Sequence, residues 1–185
     1  MVERIATEIT NILSTEIEVA DAVRQEYLRR LEEGNYTRDE DPKTHFCVYF
    51  AGFDPKTDEV FIGHHKKSGL WLFNGGHIDQ GETPHEALFR EIREEWGEVE
   101  RLGLPEDAIG RPELLTITEI DNPTKQTCTR HYDIWHFVWA DRNSFKPDQE
   151  KLDKEFYETR WVSLDEAREL ITDPSTLEAI NYLAK

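Results

Sequence analysis

The sequence is poor in the features that mark several protein classes. It has only two cysteines, Cys47 and Cys128, in 185 residues, and they show no CxxC spacing, so neither a disulfide framework nor a zinc site is indicated. No run of about 18 apolar residues occurs, and the opening residues, MVERIATEIT, lack a basic segment followed by an apolar one. We therefore expect no membrane span and no signal peptide, with a cytoplasmic location as the default.

Positive charge is also scarce. Lysine and arginine number 22 against 39 aspartates and glutamates, which gives a formal net charge of −17 with histidine neutral. Binding to phosphate backbones or anionic membranes depends on basic side chains that release counterions. We therefore expect neither a nucleic acid nor a membrane as a partner.

What the chain does contain is enough apolar and aromatic material for a folded core. The hydrophobic fraction is 37% and the aromatic fraction is 11%, which is too rich for a disordered acidic chain. The length corresponds to one domain of about 150 residues with an extension.

The N-terminal part has helical periodicity over residues 3–33. Apolar residues recur there at spacings of three and four, namely Ile9, Ile12, Leu13, Ile17, Ala20, Val23, Tyr27, Leu28 and Leu31. Thr15 with Glu18 indicates a capping box, so we predict two helices, the second of which ends before Gly34.

The pattern then changes to short strands after a polar connector. Strands are predicted at residues 44–53, 60–64, 70–73, 114–120, 127–139 and 157–162. A loop is predicted for residues 74–82. Shorter helices are predicted after Ser163 and from Pro174 to about Leu183. This order of elements predicts an α/β fold with a mixed sheet and helices packed around it.

The helix with the strongest signals covers residues 84–96. Thr83 is its predicted N-cap, Pro84 takes the first helical position, and Glu86 stands three residues after the cap. Gly97 is expected to follow its last turn.

On that helix, Glu91, Glu94 and Glu95 lie on one face within a single turn. Like charges at these spacings repel by roughly 0.2–0.5 kcal/mol per pair on an exposed helix. A hard divalent cation would remove the repulsion, and Mg²⁺ prefers carboxylate and water oxygens and is often shared with substrate phosphates. From the triplet alone, a merely solvated acidic face is the simpler interpretation.

The surrounding residues favour the metal site. From position 76 the chain reads GHIDQGETPHEALFREIREEWGE, which resembles the Nudix hydrolase signature of Gly, five residues, Glu, seven residues, then Arg-Glu-apolar-x-Glu-Glu-x-Gly-apolar. The matching residues are Gly76, Glu82, Arg90, Glu91, Ile92, Glu94, Glu95 and Gly97. Glu98 departs from the apolar type at the last position. Asn74 stands where many members have proline, and we expect it to loosen the loop.

The resemblance, which covers about residues 43–168, implies a Nudix-type α/β/α sandwich with a mixed β-sheet in residues 43–185. Residues 1–42 are then an N-terminal helical extension. Three roles are open for these helices: they could cover the domain, shape the pocket or mediate a homodimer.

The resemblance also implies a metal site. It assigns Glu91, Glu94 and Glu95, with the carbonyl of Gly76, to binding of Mg²⁺, for which Mn²⁺ can substitute. It assigns Glu82 and Arg90 to a salt bridge that supports the loop on the helix, a plausible outer support for metal ligands.

The implied activity is that of a Mg²⁺-dependent pyrophosphohydrolase. Such an enzyme cleaves a diphosphate bond in a nucleoside diphosphate linked to another moiety, by attack of a metal-activated water at phosphorus. A glutamate must accept the proton of that water. Candidates are Glu91 or Glu95 on the helix, or a glutamate from the loop before Trp161, with Glu155 preferred and Glu158 second.

Two alternatives stay open. One is a non-catalytic Nudix-fold module that senses a nucleotide, and the other is an isoprenoid isomerase, which would need a catalytic cysteine such as Cys47.

Several other residues could have a functional role, but a structural role is the preferred interpretation for each. Residues 64–67 are predicted to form a solvated turn, His77 an ordinary loop position, and Trp71, Trp135, Trp139, Cys47 and Cys128 packing positions.

Overall fold

The computed structural model describes residues 2–17, 19–120 and 127–185. Its helices are α1 Val2–Leu13, α2 Asp21–Glu33, α3 Pro84–Glu95, α4 Gln149–Glu155, α5 Leu164–Leu170 and α6 Pro174–Leu183. Its strands are β1 Thr44–Asp54, β2 Glu59–His65, β3 Trp71–Leu72, β4 Asn74–His77, β5 Leu114–Glu119, β6 Arg130–Trp139 and β7 Phe156–Ser163. A 3-10 turn covers Val99–Arg101.

The strands of the described residues form one sheet in the order β3-β2-β1-β6-β5, with β4 paired to β1 and β7 paired to β2. The central strands β1 and β6 run parallel, in a register that extends from Thr44 opposite Arg130 to Phe53 opposite Trp139. The other pairs are antiparallel. The predicted α/β fold with a mixed sheet is confirmed. None of the described helices has the length and apolar character needed to span a bilayer.

Helices cover both faces of the sheet. Alternate residues of β1 point to opposite sides, so Phe46 and Phe50 pack with α1, α2 and α3, whereas Ala51 and Phe53 pack with α5 and α6. The larger of the two cores includes the fully buried Trp96 just after α3. This layering is the sandwich that the sequence predicted.

The N-terminal helices are joined to the central sheet. Ile5 and Ile9 of α1 belong to the larger core. Tyr27 of α2 is fully buried, and its hydroxyl donates to the backbone carbonyls of Asp133 at 2.7 Å and Thr116 at 3.1 Å. The division into residues 1–42 and 43–185 stays a prediction.

The predicted capping of α2 is wrong. The helix begins at Asp21 after Ala20, and the hydroxyl of Thr15 donates instead to the carbonyl of Ile12 at 2.7 Å, at the end of α1. Thr15 therefore closes the first helix rather than opening the second. Glu18, its proposed capping partner, lies outside the described residues.

The helix signals in the second half of the chain are confirmed. Thr83 and Glu86 form a reciprocal capping box at the start of α3. The side chain of Ser163 accepts from the Glu166 N–H at the start of α5, and Asp173 caps α6.

Two elements differ from the prediction. The first part of the predicted loop at residues 74–82 is strand β4, which pairs antiparallel with β1 so that Gly76 lies opposite Val48. Helix α4 was not predicted, and it begins at the cap Asp148, whose side chain accepts from the Glu150 N–H.

Candidate functional site

The signature glutamates lie on α3, whose inward face is a stripe of buried residues at helical spacing. The buried residues are Pro84, Ala87, Leu88, Glu91, Ile92 and Glu95. Two carboxylates thus continue the apolar face. Glu94 lies off this stripe, and its side chain is 60% exposed. The structure brings Glu91 and Glu95 against the sheet and leaves Glu94 at the solvent side.

Two glycines of β4 leave no room for a side chain, Gly76 beside this helix and Gly75 beside strand β1. A Cβ atom on Gly76 would lie 2.2 Å from Oε1 of Glu91. A Cβ atom on Gly75, whose φ is +147°, would lie 2.3 Å from the carbonyl oxygen of Val48. Because only glycine permits these approaches, the backbone of β4 packs directly against the Glu91 carboxylate.

Two donors from β4 hold the carboxylate of Glu95. The side-chain amide of Asn74 donates to Oε2, and the Gly75 N–H donates to Oε1 at 3.2 Å. Asn74, which was expected to loosen this segment, instead links the strand to the helix.

Arg90 connects the signature loop to the helix. Its Nε and Nη2 atoms donate to the two carboxylate oxygens of Glu82, each at 2.8 Å. Its Nη1 donates to Oε1 of Glu91 at 2.7 Å, and Nη2 also donates to the carbonyl of His77 at 2.8 Å. The ion pair expected between Glu82 and Arg90 is present, and the same guanidinium contacts a signature glutamate.

Burial shapes the electrostatics of this cluster. It raises the pKa of Glu95 from 4.5 to about 8, against the opposing effect of the hydrogen bond from Asn74. Burial also raises the pKa of Glu91, although Arg90 counteracts the shift. An all-oxygen donor set of buried carboxylates fits a hard divalent cation, whose charge would favour their ionised forms.

The glutamates line a cavity of about 640 Å³. The lining also includes basic and imidazole groups, namely His65, Lys67, Lys151, Lys154, His77 and His131. Its apolar and aromatic residues are Tyr49, Leu70, Leu72, Phe73, Trp135 and Phe156. The cavity therefore combines carboxylates, cations and aromatic rings, as binding of an anionic ligand with an aromatic group requires.

The two candidate bases outside α3 lie in different places. Glu155 lines the cavity, and its carboxylate is 3.8 Å from Nε2 of His65. It is the last residue of α4 rather than part of a loop. Glu158 is exposed on β7, with its carboxylate 3.6 Å from Nε of Arg160.

Four of the cavity residues were missed or assigned otherwise. Lys151 and Lys154 escaped notice because α4 was not predicted, although Asp148 as an N-cap was a usable signal. His65 and Lys67 belong to the segment predicted as a solvated turn, yet both line the cavity.

The predictions for aromatic residues and cysteines have mixed outcomes. Trp135 is buried, and its ring N–H donates to the hydroxyl of Thr116 at 2.8 Å. Cys47 and Cys128 are buried with free thiols. Trp139 is 38% exposed, so its prediction as a core residue is wrong. Trp71 is half-buried between the ring of His64 and the guanidinium of Arg160.

Comparisons with known proteins agree with this geometry. The sequence profile of the NUDIX domain matches residues 43–182. An RNA pyrophosphohydrolase of Helicobacter pylori (strain G27) is 54% identical over 44 residues, which are 23% of this chain and 28% of that protein. The chain thus spans little more than a quarter of that relative. The nucleoside triphosphatase NudI of Enterobacter sp. (strain 638) is 31% identical over 108 residues, covering 58% of this chain and 72% of NudI.

Solved structures show the same fold. The E. coli dihydroneopterin triphosphate pyrophosphohydrolase superposes with a TM-score of 0.61 at 19% identity, covering 80% of this chain and 95% of that one. The MutT protein from Methanosarcina mazei Go1 has a TM-score of 0.54 at 20% identity, covering 77% and 94%. The profile match over most of the chain, the length shared with NudI and the signature carboxylates in their cavity agree: the chain belongs to the NUDIX domain family.

Proposed function

We propose that the protein is a Mg²⁺-dependent pyrophosphohydrolase that cleaves a diphosphate bond in a nucleoside diphosphate linked to another moiety. The observation that carries the proposal is the pair of buried carboxylates, Glu91 and Glu95, held against the glycine backbone of β4 at the wall of a cavity of about 640 Å³.

The carboxylates of Glu91, Glu94 and Glu95, with the carbonyl of Gly76, would hold the cation, and Mn²⁺ can replace Mg²⁺ there. When bound, the cation supplies neutralisation of phosphate oxygens and lowers the pKa of a water. Arg90 keeps one carboxylate oxygen of Glu91 in place through its 2.7 Å hydrogen bond. These ligands are held before a substrate arrives, which limits the reorganisation needed for reaction.

Basic side chains at the cavity are suited to bind the phosphates of a substrate. Lys67, Lys151 and Lys154 line the same cavity as the glutamates. Their positive charge would attract a polyphosphate to a chain whose net charge is −17. The ring of Tyr49, which lines the cavity and stacks on the buried Trp135 at 4.8 Å, suits contact with a planar base.

Glu155 is our preferred general base. It lines the cavity with the signature glutamates and is half-exposed, with a side-chain exposure of 54%. A carboxylate at the cavity wall is placed to accept a proton from a water within the cavity. Glu91 and Glu95 are the alternatives, and they would then have to serve as metal ligands as well.

The substrate is proposed to be a small nucleotide. Names of the relatives include both an RNA pyrophosphohydrolase and a nucleoside triphosphatase. The net charge of −17 opposes an extended phosphate backbone, which favours the small substrate. A cytoplasmic location stays a prediction.

The test is hydrolysis of a panel with Mg²⁺, which includes nucleoside triphosphates, nucleoside diphosphates linked to other groups, and RNA with a 5′-triphosphate. We expect Glu95→Gln to lose most of the activity, and Glu155→Gln to lose far more than its matched control, Glu158→Gln. No turnover of any compound, with Glu94→Gln and Glu95→Gln indistinguishable from the wild type, would overturn the proposal. Tight nucleotide binding without metal or turnover, measured by calorimetry, would favour the sensing module instead.

A further inference from the structure

Three histidines and a cysteine form a cluster beside the glutamates, and two of them, His77 and His131, also line the cavity. His45 lies on β1 directly opposite His131 of the parallel strand β6, and His77 ends β4 on the other side of β1. Cys128 lies two residues before β6. The ring centroids are between 4.7 and 5.2 Å apart, and each residue offers a ligand atom within 4.8 Å of the others.

Two ring nitrogens of this cluster are buried without a hydrogen-bond partner among the described residues. Nδ1 of His45 is 2.8 Å from the carbonyl oxygen of Asp41, which fixes its proton on Nδ1 and leaves a lone pair on Nε2. Within the described part of the chain, Nε2 of His45 and Nε2 of His131 are buried and have no hydrogen-bond partner. The two residues are 0% and 7% exposed. Buried polar atoms without partners are rare in folded proteins, so two in one cluster require an explanation.

We propose that His45, His77, His131 and Cys128 together bind one Zn²⁺ ion. Neutral imidazole nitrogen and thiolate sulfur are the donors that zinc prefers, and four protein ligands are typical of a structural site. The distance of 3.8 Å from Nε2 of His77 to Sγ of Cys128 is close to the roughly 3.6 Å that separates nitrogen and sulfur ligands of one tetrahedral Zn²⁺. On binding, the thiol of Cys128 gives its proton to solvent.

The contacts behind the ligands support this assignment. A zinc-bound histidine commonly donates its other ring N–H to a carbonyl, as His45 does to Asp41. Nδ1 of His131 lies 3.5 Å from the hydroxyl of Tyr49. These outer contacts engage Nδ1 of both rings and leave Nε2 of each ring available to bind an ion.

A second group of possible ligands, Cys47, His131 and Asp133, overlaps the first through His131. It offers three donors instead of four. Oδ2 of Asp133 accepts hydrogen bonds from the hydroxyls of Thr116 and Ser175, at 3.2 and 3.0 Å, whereas Oδ1 is buried without a partner among the described residues. The number of donors therefore separates the two groups. The four-residue group is therefore the better match to a tetrahedral ion.

The bound ion would connect β1, β4 and β6 at one point. His77 follows Gly76, whose Cα packs against Glu91, and the His77 carbonyl accepts from Arg90 at 2.8 Å. The ion would thereby fix the glycine segment on which the glutamates are held. This role does not depend on the proposed hydrolysis.

Titration of the metal-free full chain with Co²⁺ tests the proposal. We expect one equivalent of Co²⁺ to give the absorption of a tetrahedral ion together with a thiolate-to-cobalt charge-transfer band, and Zn²⁺ to displace it. An all-oxygen glutamate site cannot produce that band, so Glu95→Gln should retain it whether or not the protein is a hydrolase. A wild-type protein without the band would overturn the proposal.

Two cysteine variants identify the ligand. Cys128→Ser should abolish the charge-transfer band, whereas the matched control Cys47→Ser should keep it, with folding checked by circular dichroism. If Cys128→Ser does not fold, His45→Gln replaces it, because His45 belongs only to the four-residue group. Loss of the band in Cys47→Ser with retention in Cys128→Ser or His45→Gln would contradict the assignment.

Discussion

The ionised carboxylate of Glu95 is proposed to bind the metal ion, but its burial destabilises the metal-free fold. Glu95→Gln tests these two effects separately. In the metal-free protein, burial raises the pKa of this carboxyl from 4.5 to about 8. Because the folded-state pKa is raised, the contribution of Glu95 to stability is fully present below pH 4.5 and is lost as the pH rises toward 8. At pH 7 the shift corresponds to about 3 kcal/mol of destabilisation, at about 1.4 kcal/mol per pH unit above the unfolded pKa.

Glutamine avoids that cost and keeps the hydrogen bond from the Gly75 N–H. Its NH2 group takes the place of Oε2, and it can donate to Oδ1 of Asn74 once the Asn74 amide turns over. We expect metal-free Glu95→Gln to unfold in urea with a free energy about 3 kcal/mol above the wild type at pH 7, and with less than about 1 kcal/mol of advantage at pH 5. The matched control is Glu94→Gln, at a side chain that is 60% exposed, for which a change within about 0.5 kcal/mol is expected.

Added Mg²⁺ should reverse the order of the two proteins. A ligand that binds only the folded state raises its stability with concentration, so the wild type should gain and Glu95→Gln should gain much less. The reasoning is refuted if Glu95→Gln is no more stable than the wild type at pH 7 in a chelator, or if its advantage is the same at pH 5.

Three further predictions concern the backbone, the ion pair and acid stability. Gly76→Ala should weaken Mg²⁺ binding measured by calorimetry, because its Cβ would lie 2.2 Å from Oε1 of Glu91. The control Gly110→Ala, whose Cβ would have no atom within 4 Å, should bind Mg²⁺ as the wild type does. An equal loss of binding in both variants would contradict this prediction. Arg90→Lys removes the two-point contact with Glu82, so it should lower the free energy of unfolding by about 1–3 kcal/mol and should also lower kcat. Urea unfolding and kinetics that match the wild type would exclude this role. Burial lowers the pKa of His136 from 6.5 to about 4. The contribution of His136 to the free energy of unfolding is therefore present above pH 6.5, and about 3 kcal/mol of it is lost as the pH falls to 4. In urea unfolding, the stability of His136→Gln should fall less with acid than that of the wild type, and an unchanged pH dependence would refute this.

Sequence reasoning succeeded where the signal was local. The start of α3 depends on Thr83, Pro84 and Glu86 within a single turn, and these residues make the predicted contacts. The spacing of Glu91 and Glu95 likewise follows from the helix itself.

It failed where pairing or packing decides. Residues 74–77 include two glycines and have little strand propensity, yet they form β4 because β1 supplies hydrogen-bonding partners. Helix α2 begins at Asp21 instead of directly after Thr15, because the hydroxyl of Thr15 hydrogen-bonds to the carbonyl of Ile12 in α1.

The histidine cluster was hidden for a different reason. Its four members come from separate segments, so no spacing rule connects them, and the cysteine count gave no indication of a zinc site. The parallel register puts His45 opposite His131, and the pairing of β4 with β1 adds His77.

The hydroxyl of Tyr27 has a consequence for where this protein can be divided. The family profile begins at residue 43, but the ring of Tyr27 is 0% exposed and its hydroxyl bonds to backbone carbonyls of β5 and β6. A chain shortened to the profile would expose the apolar surface of Phe46 and Tyr132, which contact that ring. The segment that relatives share and the segment that folds as a unit therefore have different beginnings.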